Sequence, residues 1–427
     1  MVADKSSIEY AQEQDENDPL RAYREKFHIP VINGIETVYF TGNSLGLQPK
    51  SVKNYLDEEL EAWKNWGVEG HFEAKRPWFS YHEFLTDKIA RVVGAKPIEV
   101  VVTHSLTTNL HLMMVSFYQP KSERYKIICE KKAFPSDQYA LESQARFHGY
   151  HPSDAIIEVG PRPGEHLIHE EDIVRAIEEA GDSLAMVMIG GVNYYSGQLF
   201  DMKRITEAGH KVGAYVGFDL AHAAGNVKLE LNAWGVDFAA WCSYKYLNSS
   251  PGGVSGMFVH ERHANNKELP RFAGWWGHDK DTRFLMEPGF NPMPGAEGWQ
   301  LSNAPVLGMA AHLASLDLFD EVGMDALIEK RRKLTDYLEF VIEAISERNK
   351  DRCEFEIITP KEQERRGAQL SILSHGMGKT LFDVITKEGV IADWREPNVI
   401  RIAPVPLYNS FEDVYRFGAI LEKAIQA

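Results

Sequence analysis

Short apolar runs alternate with segments of helical periodicity across residues 126–259, and few folds accommodate this alternation. The runs are four to six residues long and almost wholly apolar, which is typical of strands covered on both faces. The segments between them are long enough for the crossover helices that parallel strands need. The pattern predicts an α/β protein with a mostly parallel sheet covered by helices, and with ligands beyond the carboxyl ends of the strands.

The composition divides the chain into four segments. Residues 1–18 are polar and acidic, so we predict a mobile N-terminal arm there. Residues 19–50 are predicted to contribute to the small domain and to the functional site, and residues 51–310 to form the large domain. Residues 311–427 contain long helical periods followed by short apolar runs, which predicts long helices and a small C-terminal α+β domain.

Charge and cysteine content argue against several classes of protein. The 427 residues carry a formal net charge of −16 and contain no basic run, so no nucleic-acid partner is predicted. No apolar stretch is long enough to span a membrane, and the first residues lack a signal- or transit-peptide pattern. The three cysteines are far apart, which disfavours a disulfide framework or a zinc site and favours a reducing cytoplasm.

Lys245 is the most unusual residue, because it follows the apolar segment 238–243 and precedes a loop of small residues. A lysine at the end of a buried strand finds a counter-ion, reaches solvent, or reacts as a neutral amine. Neutral lysines form imines with carbonyl groups. The local sequence favours neither the solvent-exposed nor the imine-forming interpretation.

Other polar residues are predicted to converge on this lysine. Asp219 ends the run 214–219, where it either caps the next turn or shares a sheet edge with the lysine. The segment 104–109 is rich in hydroxyl residues and opens an apolar helix, so it either caps that helix or binds phosphate. Arg401 alternates with two isoleucines and therefore points away from them, towards a cleft.

A lysine, an upstream carboxylate, a phosphate-binding helix start and an aromatic ring are together what pyridoxal 5'-phosphate requires. The lysine holds the aldehyde, the carboxylate keeps the pyridine nitrogen protonated, and the helix start holds the phosphate. No one of these features is specific, but their joint order in an alternating α/β chain is. The sequence therefore indicates an enzyme that uses this cofactor.

Six segments carry longer motifs, namely 41–47 (TGNSLGL), 75–78 (KRPW), 134–137 (FPSD), 218–222 (FDLAH), 241–248 (WCSYKYLN) and 401–410 (RIAPVPLYNS). They resemble the motifs of the kynureninase family, pyridoxal-phosphate hydrolases of the aspartate-aminotransferase (type I) fold. The resemblance covers nearly the whole chain from about Leu20. It implies a large domain with a mostly parallel, seven-stranded-type sheet, a small C-terminal α+β domain, and a homodimer whose subunits share the active site.

The resemblance implies a role for each residue that matches a family motif. Lys245 matches the imine-forming lysine, and Asp219 matches the partner of the pyridine nitrogen. The remaining matches within this chain are Leu106 and Thr107 at the cofactor phosphate, Phe134 stacked on its ring, and Asp137, His222 and Tyr244 as further cofactor contacts.

Four residues match positions that bind substrate or come from the second subunit. Trp275 and Asn303 match residues that the partner contributes to the cofactor site. Ser44 and Arg401 match contacts to the substrate carboxylate, and a bidentate arginine is the expected partner of that group.

Three positions concern substrate preference and cofactor contacts. His71 and Asn303 match the animal type of the family and lie, by resemblance, near the substrate ring, so 3-hydroxykynurenine is the expected better substrate. Gly190 stands where animal members carry a serine, so one hydroxyl contact to the cofactor is expected to be absent or supplied by water.

The implied reaction cleaves the β–γ carbon bond of L-kynurenine or 3-hydroxykynurenine, giving anthranilate or 3-hydroxyanthranilate and L-alanine, in tryptophan catabolism and NAD biosynthesis. Lys245 is predicted to move the α-proton, and Tyr244 to donate a proton. An aminotransferase, a cysteine desulfurase or a non-catalytic relative of the same fold remains an alternative. A desulfurase also needs a mobile cysteine, and the only candidate, Cys353, adjoins an apparent strand.

Overall fold

A computed structural model describes residues 4–426. Its helices are α1 (Ile8–Glu16), α2 (Val52–Trp66), α3 (Gly70–Glu73), α4 (Glu83–Val93), α5 (Leu106–Phe117), α6 (Pro135–Phe147), α7 (Pro152–Ala155), α8 (Glu170–Ala180), α9 (Met202–Lys211), α10 (Leu231–Trp234), α11 (Val306–Val322), α12 (Met324–Arg348), α13 (Lys379–Lys387) and α14 (Phe411–Gln426). None of these helices is both long and apolar enough to cross a membrane.

The strands fall into a large central sheet and several smaller pairings. They are β1 (Val31–Ile32), β2 (Ile35–Glu36), β3 (Val38–Tyr39), β4 (Val100–Val102), β5 (Lys126–Glu130), β6 (Ile156–Val159), β7 (Leu184–Gly190), β8 (Tyr215–Asp219), β9 (Phe238–Trp241), β10 (Gly256–Val259), β11 (Glu354–Ile357), β12 (Leu370–His375), β13 (Val390–Ile391), β14 (Asp393–Arg395) and β15 (Val399–Ile402).

The central sheet has seven strands in the order β4-β10-β9-β8-β7-β5-β6. Strands β5 to β9 pair in parallel, whereas β10 is antiparallel to both of its neighbours. Every residue of β7 and β9 is buried, because helices cover both faces of the sheet. The mostly parallel, seven-stranded sheet expected from the sequence is confirmed.

The C-terminal part of the chain builds a smaller domain around a second sheet. This sheet is antiparallel and has the order β11-β12-β15-β14. Its core, formed with α12, α13 and α14, also includes Val38 and Phe40, and β3 pairs in parallel with β13. The predicted small α+β domain is therefore present, and it incorporates a segment from near the N-terminus.

From the sequence, residues 311–427 are assigned to the long helices and the small domain. Helix α11 (Val306–Val322) instead belongs to the large domain. Its residues Leu313, Leu316 and Phe319 belong to the core of the large domain, and the helix packs on α2 and α4. The change of domain falls near the start of α12, whose Leu334 and Leu338 enter the core of the small domain. Both helices are apolar at helical spacing, so periodicity alone does not distinguish which core each one joins.

Residues 4–18, which belong to the segment 1–18 predicted as a mobile arm, contain helix α1, and this helix packs on the small domain, while residues 1–3 lie outside the described part. Helix α1 begins at the N-cap Ser7 and buries Ala11 in the core of the small domain. The carboxylate of Asp15 accepts hydrogen bonds from the backbone N–H groups of Phe411 and Glu412, at 2.8 and 2.9 Å, and so caps α14. The partner of this polar helix is about 400 residues away in sequence, so local composition does not reveal it.

Candidate active site

A cavity of about 460 Å³ opens beyond the carboxyl ends of β5, β7 and β8, whose last residues Glu130, Gly190 and Asp219 all line it. This is where a doubly wound sheet is expected to bind its ligand. The predicted site residues that line the same cavity are Ser44, Leu106, Thr107, Phe134, Asp137, Asp219, His222, Tyr244, Lys245 and Arg401.

Lys245 faces this cavity from a tight turn after β9, which ends at Trp241. The turn is held by the loop 41–47, because the N–H of Gly46 donates to the carbonyl of Tyr244 at 2.8 Å. A Cβ atom at Gly46 would lie only 2.4 Å from the carbonyl oxygen of Lys245, so this approach requires glycine. The lysine is half-buried and lines the cavity, which favours the reactive interpretation over the solvent-exposed one.

The amine of Lys245 has a neutral neighbour rather than a carboxylate. Its Nζ lies 3.0 Å from Nε2 of His222, and within residues 4–426 it makes no ion pair. Burial, with the positive charges of Lys245, Arg401 and Arg395, holds the pKa of His222 well below its usual range. His222 is therefore a neutral imidazole that lies within hydrogen-bond distance of the amine.

Three carboxyl groups, those of Glu130, Asp137 and Asp219, line the same cavity. Burial raises the pKa of Asp219, although the N–H of Ala221 donates to its Oδ1 at 2.6 Å. Burial and the neighbouring carboxylates of Asp219 and Glu130 raise the pKa of Asp137. Burial likewise raises the pKa of Glu130 to about 7. A cluster of this kind holds protons readily and would be stabilised by a cationic N–H group placed against it.

The start of α5 is open to an anion. Its N-cap residue Ser105 makes no side-chain hydrogen bond to the first-turn amides, and its Oγ instead lies 2.9 Å from Oγ1 of Thr108. Ser105, Leu106 and Thr107 all line the cavity. Because uncapped amides and the helix dipole favour negative charge, the phosphate-binding interpretation fits this helix better than plain capping.

Aromatic side chains form one wall of the cavity. The ring of Phe134 is 41% exposed and packs edge-on against Tyr194, with ring centroids 5.2 Å apart. Nζ of Lys245 lies 6.0 Å from the centres of the Phe134 and Tyr244 rings. Burial and the nearby Cys242 raise the pKa of Tyr244, so this phenol stays protonated at neutral pH.

Arg401 reaches the cavity from β15 of the small domain, as its alternation with Ile400 and Ile402 predicts. It is 1% exposed, donates to the carbonyl of Tyr194 at 2.7 Å and forms an ion pair with Asp393. Its Nε has no hydrogen-bond partner among the described residues. The guanidinium is thus oriented by Asp393 and retains a free donor.

Three predicted site residues lie outside this cavity in the single chain. His71 and Asn303 line a separate, largely apolar cavity of about 270 Å³, together with Trp63, Trp78 and Leu307. Trp275 lines a third depression and is 44% exposed. One chain therefore brings His71 and Asn303 together but places neither of them, nor Trp275, beside Lys245.

The structure also adds residues that the sequence reasoning missed. Glu130, Tyr194 and Arg395 line the cavity, and so does Asn43, which lies within the motif 41–47. Glu130 had a readable signal, because it ends an apolar run in the same way as Asp219. Tyr194 and Arg395 had no such signal. Tyr194 lies in a loop after β7, and Arg395 ends the short strand β14 of the small domain.

Pyridoxal 5'-phosphate fits the residues of this cavity. The uncapped helix start suits its phosphate, the exposed face of Phe134 suits its ring, and the buried carboxyl of Asp219 suits a protonated ring nitrogen. Lys245, which has no carboxylate partner within the described chain, is the amine available to its aldehyde.

Solved structures share this architecture. The apo cysteine desulfurase of Thermococcus onnurineus aligns over 95% of this chain and 98% of its own with a TM-score of 0.76 at 17% identity. A mutant cystine lyase, with glycine covalently linked to its PLP cofactor, aligns over 90% of this chain and 96% of its own with a TM-score of 0.75 at 14% identity. The fold is that of the type I pyridoxal-phosphate enzymes.

Sequence relatives narrow this class. The "Kynureninase" of Flavobacterium psychrophilum is 60% identical over 421 residues, 99% of either chain, and that of Nematostella vectensis is 47% identical over 448 positions, 100% of this chain and 96% of its own. A model of the kynureninase C-terminal domain matches residues 327–421. The chain belongs to the kynureninase family.

Proposed function

We propose that this protein hydrolyses the β–γ carbon bond of L-kynurenine and 3-hydroxy-L-kynurenine, releasing anthranilate or 3-hydroxyanthranilate and L-alanine. Family membership supports the reaction class, and one observation supports the site. The amine of Lys245 lies 3.0 Å from the neutral His222, in a cavity that also contains Asp219 and the buried guanidinium of Arg401. The three unpaired, buried cysteines support a location in a reducing cytoplasm.

The residues of this cavity would hold pyridoxal 5'-phosphate. Its aldehyde would face Lys245 and its ring nitrogen Asp219, while the start of α5 would take the phosphate and Phe134 would cover the ring. His222 and Asp137 would fix the orientation of the amine and of Asp219. When bound, the cofactor supplies an electron sink for a carbanion at the substrate α-carbon.

Two side chains are suited to move protons. Lys245 is positioned to accept the α-proton, because its Nζ lies 3.0 Å from Nε2 of His222 and the residue lines the cavity. Tyr244 is adjacent, lines the same cavity and carries a proton at neutral pH, so it can donate that proton to the β-carbon of the alanyl fragment as the β–γ bond breaks, while the oxygen of the hydrolytic water stays on the aryl carbonyl.

Arg401 and Ser44 would bind the substrate carboxylate. Arg401 is already paired with Asp393, so this carboxylate would use the free Nε donor or share the guanidinium with Asp393. Desolvation of the buried guanidinium makes a second carboxylate favourable, because one aspartate does not satisfy all five N–H groups.

We propose a homodimer in which the partner completes the site. Exposed aromatic and aliphatic side chains cluster on the segments that carry the three outlying residues, which are Trp63, Trp66, Val68, Phe72, Trp275, Phe284, Leu285, Met286 and Leu307. Such a surface favours association with another copy. The cavity of His71 and Asn303 would then face the partner's substrate ring and favour the 3-hydroxyl form.

The test is an assay of both substrates on one preparation of the cofactor-loaded protein. We expect anthranilate fluorescence with kynurenine, a higher kcat/KM with 3-hydroxykynurenine, and loss of turnover and of the visible cofactor absorption in Lys245→Ala. Lys211→Ala, which changes an exposed lysine at the end of α9, is the matched control. Colour without aromatic product would favour an aminotransferase, whereas a Lys245→Ala variant with wild-type turnover would refute the site. Cys353 is buried outside the cavity, beside Ser374, which disfavours a desulfurase.

A further inference from the structure

A second large cavity, of about 570 Å³, lies between the two domains and shares no lining residue with the cavity of Lys245. Its walls come from the start of α9 and the chain before it in the large domain, and from α12 and the segment 363–366 in the small domain. Seven of its lining side chains are lysines or arginines and three are acidic. The lining therefore carries a formal charge of 7 − 3 = +4 in a chain whose net charge is −16.

Arg331 is the buried basic residue of this cavity that has no ion-pair partner within the described chain. It is 3% exposed, and its Nη1 donates to the carbonyl of Arg366 at 2.9 Å and to Oε1 of Gln363 at 3.1 Å. Its Nε is buried without a partner, and its Nη2 makes no hydrogen bond within residues 4–426. No carboxylate of the described chain forms an ion pair with it, and burial lowers its pKa to about 10.

Arg366, which lines the same cavity, is a buried guanidinium whose charge is compensated. Arg366 is fully buried and is paired with Glu339 at 2.7 Å and with Asp336 at 3.2 Å. A buried arginine without such partners is unfavourable, because its desolvation is not offset. The contrast indicates that the partner of Arg331 is a molecule that is not part of this chain.

The free atoms of Arg331 define the chemistry of that molecule. Nε and Nη2 form the side edge of the guanidinium, which grips two oxygens of a carboxylate or phosphate at once. Lys203, at the start of α9, lines the same cavity and has no ion-pair partner in the described residues, so it offers a second positive charge. The half-buried side chains of Leu199, Trp234 and Ile328 add an apolar wall.

We propose that this cavity binds an anionic metabolite, with a phosphate or a carboxylate held by the Nε–Nη2 edge of Arg331 and by Lys203 and an apolar portion against Trp234. Arg331 and Ile328 belong to the small domain, whereas Lys203 and Trp234 belong to the large domain. The ligand thus connects the two domains that also supply Arg401 and Lys245, and it acts as a clamp between them.

Calorimetric titration of the cofactor-loaded protein tests the proposal, because the phosphate subsite of the active site is then already filled. The probes are pyrophosphate for the phosphate arm and citrate for the carboxylate arm, with chloride at matched ionic strength as the reference. We expect saturable binding of at least one probe and a rise in Tm with its concentration. Binding of neither probe above the chloride reference would overturn the proposal.

Variants locate the binding. Arg331→Gln should weaken it at least about tenfold, the loss expected for one charge-assisted contact. Lys203 is exposed, so Lys203→Glu should leave the fold intact and weaken binding similarly, and this variant tests the site if Arg331→Gln does not fold. Arg348→Gln, on the same helix but paired with Glu422 at the surface, is the control and should bind as the wild type does. Equal affinity in all four proteins would place the anion elsewhere and refute the site.

Discussion

At the residue scale, Glu130 gives a structural context for Gly190. Both carboxylate oxygens of Glu130 lie 3.2 Å from the N–H of Gly190, and a Cβ atom on that glycine would come within 2.9 Å of Glu130 Oε1. A carboxylate thus occupies the space that a side chain at position 190 would enter. The polar group beside this glycine is the side chain of Glu130, which comes from the neighbouring strand β5.

The raised pKa of Glu130 makes stability depend on pH. Its carboxyl has a pKa of about 7 in the folded protein against an ordinary value of 4.5. The stabilisation that the protonated carboxyl provides is therefore fully present below pH 4.5 and is lost as the pH rises through about 7. Between about pH 5 and pH 8, the wild type should lose roughly 2–3 kcal/mol of unfolding free energy relative to Glu130→Gln.

Urea unfolding of the wild type and Glu130→Gln, in the same cofactor-loaded state at both pH values, measures this difference. Glu158→Gln removes an exposed carboxylate from the adjacent strand β6 and is the control. If the difference in unfolding free energy between the wild type and Glu130→Gln were the same at both pH values, Glu130 would ionise normally.

At the scale of elements, the turn that carries Lys245 depends on the loop 41–47. In Gly46→Ala, the new Cβ would lie 2.1 Å from Asn248 Oδ1 and 2.4 Å from the Lys245 carbonyl oxygen, so either the loop or the turn must move. We expect kcat to fall about 10- to 100-fold while the fold is retained, because a displacement of about 1 Å misplaces the amine. Steady-state kinetics together with circular dichroism measure both effects.

Gly308→Ala is the matched control for that substitution. Gly308 lies within α11, and a Cβ there meets nothing within 4 Å, so activity should be unchanged and stability should rise slightly. If Gly46→Ala were as active as Gly308→Ala, the close packing of the loop on the turn would not position the lysine.

The N-terminal helix supplies the second prediction at this scale. Asp15→Ala removes the carboxylate that accepts from two amides at the start of α14, and should lower the unfolding free energy by about 1–2 kcal/mol. Gln12→Ala changes an exposed residue of the same helix and should have a smaller effect. Denaturant melts of the two variants compare them directly, and equal stability would show that α1 does not cap α14.

At the scale of the whole molecule, the separation of His71 and Asn303 from Lys245 makes a prediction about subunits. If each chain completes its partner's site, a Lys245→Ala chain and a His71→Ala/Asn303→Ala chain are deficient alone but complementary. Mixing equal amounts after dissociation should restore about a quarter of wild-type activity, since about half the dimers are mixed and each has one intact site. The double variant also needs to be nearly inactive alone, which the same assay establishes.

Activity that stays at the sum of the two separate variants, while mixed dimers are demonstrated by native mass spectrometry, would place the whole site within one chain. The control is a mixture of Lys245→Ala with Arg401→Ala. Both of these residues line one cavity of one chain. In each mixed dimer, one site carries Lys245→Ala and the other carries Arg401→Ala. No intact site forms, so no activity is regained.

The sequence by itself determined the features that repeat locally or form a motif. Apolar runs and helical periods predicted the parallel sheet and its ligand-binding edge, because burial on both faces demands such runs. Family motifs predicted ten residues that line one cavity. Tertiary structure alone decided what joins distant segments, namely the cap of Asp15 on α14, the core that α11 enters, the pairing of Arg401 with Asp393 and the unpaired edge of Arg331. These contacts depend on which surfaces meet after the chain has folded, and neither periodicity nor composition specifies them.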